Sequence, residues 1–246
     1  MCKAFSSIIE PNAKVTWKLG VDSHTDLLEM AFLKDETSDP VQMAFARVEI
    51  TPDNGSYLEP DKWTLKVDQA ITPAWFAEKH REAALGAHEK WLAALDKVLV
   101  RKPIVYPFRI KPPVRITKQH IELLRKWDSV RGSVRDSVWD SVWDSVWDSV
   151  WGSVRDSVWD SVRDSVWDSV KDSVWGSVYA YIGSFFKLPI WKYVKHPRGK
   201  YPFQPCVQLW DLGLVPSFDG KTWRLHGGPK AKVMFEITKE QLAAKE

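Results

Sequence analysis

Residues 127–178 are thirteen consecutive four-residue units, from WDSV at 127–130 to WGSV at 175–178. Ser and Val hold the third and fourth positions throughout. The first is Trp, Arg or Lys, and the second is Asp except at Gly132, Gly152 and Gly176. No feature constrains the fold more, because a four-residue period matches neither regular backbone. In an α-helix four residues turn through about 400°, so a stripe of identical residues advances about 40° per unit and circles the helix in roughly nine units. A straight partner cannot cover such a stripe. Val and the Trp, Arg or Lys that follows it lie about 100° apart and make one continuous, winding apolar band, with Asp three residues before the next Arg or Lys. An unbroken helix would be about 78 Å long. In a β reading Asp shares a face with Val and Trp shares one with Ser, so neither face is apolar, and a solenoid would stack Asp on Asp about 4.8 Å apart. Val and Trp favour strands, and none of the four residue types is a strong helix former. The contiguous band and the helical look of both flanks favour a helix, with a β-solenoid as the alternative.

The repeat also divides the composition. It carries eight of the fifteen Trp, and ten Asp against four Arg and one Lys, a net charge of −5; the flanks carry +8 of the overall +3. Trp buries on the order of 200 Å² per side chain, so an unpartnered row of them predicts self-association or capture of a protein partner. The expected contact residues are Trp139, Trp143, Trp147, Trp151, Trp159, Trp167 and Trp175 on an oligomerisation or partner-binding arm. Trp interleaved with Arg also suggests a stacking platform for single-stranded nucleic acid. The local negative charge repels phosphate, which disfavours that partner, although an outward Asp array could imitate nucleic acid towards a basic protein.

The flanks read as α+β. Residues 4–9, 14–19, 45–51 and 63–68 show strand patterns, and Asp22 or Ser23 can cap a helix through HTDLLEMAFL. Thr72 followed by Pro73 predicts a helix start, and helical spacing continues through Leu95 and Val98. Residues 102–116, with four prolines, read as an extended connector, after which Thr117 caps a helix running into the repeat. Beyond Pro189 the pattern predicts a helix over 205–212, a turn at 218–220, strands at 222–226 and 231–237, and a short final helix. The expected organisation is an α+β part at 1–101, the connector at 102–116, a helix and repeat arm at 117–186, and an α+β part at 187–246. The C-terminal strands are expected to join the N-terminal ones in one small mixed sheet.

Chemistry is sparse. Cys2 could become an N-terminal nucleophile after loss of the initiator Met, but no oxyanion-hole pattern accompanies it. Arg224 and His226 alternate onto one face near Lys230, Gly227 and Gly228, which suggests an anion pocket in a basic hairpin. The alternative is an ordinary solvated hairpin. His24 reads as a first-turn helix residue, and His80 and His88, eight apart, lack metal-ligand company; no metal or cofactor is expected. No phosphate loop, dinucleotide fingerprint or hydrolase elbow occurs. No signal-like start and no run of 18 apolar residues is present, and two cysteines give no disulfide framework, so a cytoplasmic protein is expected.

The blocks MCKAFSSI, GVDSHTDLLEM, FARVEITP and LWDLGLVPSFDGKTWRLHGG resemble a family of uncharacterised proteins of bacteriophage and environmental bacteria. Its members look similar at both ends and carry tandem repeats of differing unit and number between them. The resemblance covers the first 70 or so residues and the last 70 or so. It implies a phage or bacterial cytoplasmic origin and a repeat set into a fixed α+β frame, with no catalytic residue to carry over. The expected function is therefore non-enzymatic: structure or interaction through the repeat. The alternatives are a small enzyme using the basic hairpin or Cys2, and a nucleic-acid-binding or nucleic-acid-mimic module.

Overall fold

The strands expected at the two ends of the chain form, but in two separate antiparallel sheets rather than one. The computed structural model describes residues 5–36, 38–52, 59–146, 148–162 and 174–244; Cys2, Trp147 and Trp167 lie outside the described residues, as does the side chain of Trp143. The chain is mixed α+β and divides into two units: Met1–Arg101 with Ser145–Ser153, and Lys102–Asp144 with Val154–Glu246.

In the first unit, β1 (Phe5–Ile9), β2 (Val15–Thr16), β3 (Ala46–Thr51) and β4 (Thr64–Val67) pair in the order β2-β1-β3-β4. Strand alternation sends neighbouring residues to opposite faces. Ile8 packs with Leu27 and Leu28 of α1 (His24–Ala31) and with Phe45. Ile9, Ala46 and Val48 pack with Ala84 of α2 (Glu78–Leu95) on the other side. Ser23 caps α1, its side chain accepting the Asp26 N–H. The α2 start differs from the Thr72–Pro73 expectation. Pro73 opens a turn closed by the Phe76 N–H, Trp75 donates to the Met43 carbonyl, and Nδ1 of His80 accepts the Ala77 N–H at 2.9 Å to begin the helix five residues later.

In the second unit, β5 (Val215–Phe218), β6 (Thr222–Gly227) and β7 (Lys232–Thr238) form the other sheet in that order. The helices are α3 (Lys118–Val130), α4 (Val134–Val146, whose last two residues group with the first unit), α6 (Trp175–Gly183), α7 (Gln204–Asp211) and α8 (Lys239–Ala244). Helix α5 (Asp148–Asp160) is shared between the units in the same way. The Pro-rich stretch is pinned rather than loose: Phe108 is buried, the Val105 N–H donates to the Tyr181 hydroxyl and Trp210 donates to the Val105 carbonyl.

The repeat is helical over most of its described residues, and it is not one 78 Å rod. A 3₁₀ turn at Arg131–Ser133 precedes α4, and a turn at Ser161 and Val162 follows α5. These breaks answer the geometric problem of a four-residue period. Within a 13-residue helix three successive Val drift by only about 80°, so all three can face one core before a break resets the phase. Val134, Val138, Val142, Val154, Val158, Val162, Val174 and Val178 are accordingly 0–3% exposed. Ser137, Ser141, Ser161 and Ser177, beside four of these Val, are buried too. In these units Val, and in four of them Ser, is therefore core, and the repeat is not an arm projecting from a separate body.

Glycine in place of Asp at 176 belongs to this closure. A Cβ there would lie 3.5 Å from the Trp127 ring and 3.6 Å from Val134, so the Asp of the ordinary unit would push its carboxylate among apolar side chains where the first and last units meet. Gly183 plays a similar part just beyond the repeat, with a Cβ position only 2.9 Å from Val138.

Candidate functional site

With these Val facing inward, part of the outer surface of the repeat is supplied by first- and second-position residues, Trp139, Trp175, Asp136 and Asp160 among the described ones. Trp139 and Trp175 are each 39% exposed. Trp159 meets Trp175 edge-on at 4.4 Å, and Trp175 stacks on Tyr179 at 6.0 Å, extending an aromatic row along the second unit. Trp151 is buried, as is Trp127 at the start of the repeat, which meets Phe203 edge-on. The seven expected contact residues thus do not act alike: two are exposed, one is half-buried and one is buried.

Several polar repeat residues are committed within the second unit. Asp128 accepts from the Trp223 indole at 3.1 Å, and Arg131 lies 4.0 Å from the Phe218 ring centroid. Asp140 accepts from the Tyr193 hydroxyl at 2.7 Å, Ser141 from the Lys192 N–H, and Ser177 donates to the Pro216 carbonyl. The repeat is knitted into the unit at both of its ends.

The C-terminal hairpin does place Arg224 and His226 on one face, as alternation predicts, but it does not gather them with Lys230 into an anion pocket. Asp219, whose carboxylate also accepts the Lys221 and Thr222 N–H groups, holds Arg224 at 2.6 Å. Glu236 lies 3.5 Å from the same guanidinium, which therefore faces two carboxylates. These donors hold the Asp219 carboxyl well below the usual range. Lys230 is exposed in the β6–β7 turn. His226 is buried instead: Nε2 lies 2.7 Å from the Ser217 hydroxyl and Nδ1 lies 2.9 Å from the Ala231 carbonyl. A carbonyl can only accept, so Nδ1 carries the proton and Ser217 donates to Nε2. Burial keeps the His226 pKa below its ordinary value.

Ser217, His226 and Ala231 reproduce the nucleophile–base–orienter order of hydrolytic sites. Ser217 is 1% exposed and His226 is 3% exposed, so as folded they form a satisfied polar bridge between β5 and β6 rather than a surface nucleophile. Cys206 is similarly enclosed. Burial pushes its thiol up to about 12, away from the reactive thiolate.

One cluster in the first unit was not legible in the sequence. Register places Glu49 of β3 and Asp68, just past β4, on the sheet face that carries α1, whose first residue is His24. One potential ligand atom from each of His24, Glu49 and Asp68 lies within 4.8 Å of the other two. Burial holds the His24 pKa below its ordinary value, against the pull of Asp68. The three residues match no metal motif in linear order, and strand pairing together with the packing of α1 on the sheet brings them together.

Comparison with protein-family models, with curated proteins and with solved structures returns no match. Among the described residues no helix is long and apolar enough to cross a membrane.

Proposed function

We propose that this is a non-enzymatic structural protein that self-associates through the outer, Trp-bearing face of its repeat. The observation that carries the reading is a division of labour among the repeat residues: eight Val are consumed by the core, while Trp139 and Trp175 remain 39% exposed, Trp175 as part of the Trp159–Trp175–Tyr179 row. A second copy is the favoured occupant on charge. The repeat carries −5 and the flanks +8, so one copy's acidic face is complementary to the basic flanks of another. The excess of Asp supports this reading over nucleic-acid binding. A cytoplasmic setting, that of the host for a phage-encoded chain, accords with two cysteines in 246 residues.

The magnitude is modest. Covering the exposed part of a Trp removes about 100 Å² from water, worth about 2.5 kcal/mol at about 25 cal/mol per Å². Two such residues on each partner supply about 10 kcal/mol, which after an association cost of about 4 kcal/mol or more leaves at most about 6 kcal/mol, a dissociation constant no tighter than tens of micromolar. Sedimentation velocity over a concentration series tests this. The weight-average sedimentation coefficient should rise with concentration for the natural chain and stay flat for the W139S/W175S double variant; a flat natural profile overturns the proposal.

A further inference from the structure

We infer that His24, Glu49 and Asp68 form a site for a divalent transition-metal ion of the zinc type, held by one imidazole nitrogen and two carboxylates. Sheet register sets Glu49 and Asp68 on one face, and His24 reaches them from the start of α1, with one candidate ligand atom from each within 4.8 Å of the others. The separation of the two exposed-side ligands is informative. His24 Nδ1 lies 3.4 Å from Asp68 Oδ2. A charge-assisted hydrogen bond closes to about 2.7–2.9 Å. Two ligands each about 2.0–2.1 Å from one tetrahedral ion stand about 3.3–3.4 Å apart. The observed spacing is longer than a charge-assisted hydrogen bond and suits two ligands of one ion.

The surroundings agree. Arg47, a cation on the same sheet face, is engaged by Asp35. Glu49 is 7% exposed, whereas the Asp68 side chain is 51% exposed, so the cluster is shielded from beneath and open to entry on one side. One nitrogen with two carboxylate oxygens suits zinc, manganese or ferrous iron better than calcium, and three protein ligands leave a coordination position for water. Lys66, directly across the ladder from Glu49, is the internal competitor for that carboxylate.

The test uses the full-length protein, stripped by chelator and titrated with Zn²⁺ and with Co²⁺. The expected result is one ion per chain at this site, visible d–d absorption with Co²⁺, and a raised melting temperature. Substitutions H24Q, E49Q and D68N should each weaken binding at least about tenfold, with the far-UV circular dichroism unchanged. Because Asp68 is exposed, D68N remains decisive even where the buried E49Q variant fails to fold. Absence of binding, or binding that survives D68N and H24Q unchanged, would overturn the site and leave the cluster as a histidine–carboxylate pair beside a cross-strand Glu49–Lys66 pair.

Discussion

His88 shows how a single side chain sets a condition on the first unit. It stacks on Trp91 and Trp63 and contacts Phe5, and its Nε2 is buried with no hydrogen-bond partner among the described residues. Burial lowers its pKa from 6.5 to about 4; Asp61 opposes the shift and Arg101, itself paired with Asp61, adds to it. The unfolded chain takes up a proton near pH 6.5 that the folded unit refuses. The stability contributed by neutral His88 is thus fully present above about pH 6.5 and is lost as pH falls through about 4. Such a separation corresponds to about 3 kcal/mol. Urea midpoints should fall between about pH 7 and about pH 4, and His88→Phe, which keeps a ring in the stack, should flatten that fall; an equal fall in the variant contradicts the assignment. At this scale sequence reasoning found positions more readily than environments. It placed Arg224 and His226 on one face, but it could not foresee Asp219 and Glu236 closing on the guanidinium, or Ser217 meeting the imidazole. It also missed that His80 and His120, each the third residue of its helix, accept the N–H of the residue before the helix, because a histidine can do this only when its ring rotamer is fixed by packing.

Among the elements, the repeat helices were legible and their lengths were not. The four-residue period announces a 40° drift per unit, and the drift forbids a long straight helix against a core. Where the breaks fall depends on which units meet, a tertiary matter. Gly176 tests this directly. Gly176→Asp restores the ordinary unit yet aims a carboxylate at Trp127 and Val134, and should cost about 1–3 kcal/mol or more in chemical denaturation. Gly132→Asp, with nothing within 4 Å of its Cβ position, should stay within about 1 kcal/mol of the natural protein. Equal effects would mean that the first and last units do not meet as described. The strand missed in the sequence, β5, carries Pro216, which argues against a central strand; its place at the edge of its sheet removes the conflict, since an edge residue can do without a donor.

At the scale of the molecule, α+β composition was readable from patterning, but the number of sheets was not. Strand signals do not say which partner a strand will choose, and the C-terminal hairpin pairs with β5, four residues before it, rather than with distant β1–β4. The larger revision concerns the repeat. Read alone it is an appendage; folded, it supplies eight buried Val and the hydrogen bonds from Asp128, Asp140, Ser141 and Ser177. Excising residues 127–178 should therefore unfold the second unit, seen as lost near-ultraviolet dichroism and lost cooperativity, instead of leaving an intact body without its arm. A cooperatively folded deletion variant would contradict this.

Repeat Val build the core, and in the proposed assembly the exposed repeat Trp, Trp139 and Trp175, meet a second copy. Sedimentation velocity of the natural chain and of W139S/W175S, from about 10 µM to about 500 µM, tests it most directly. Both should show the same circular dichroism, with a sedimentation coefficient rising with concentration for the natural chain and a constant monomer value for the variant. A natural chain that stays monomeric throughout, or a variant that associates as well as the natural chain, would contradict it.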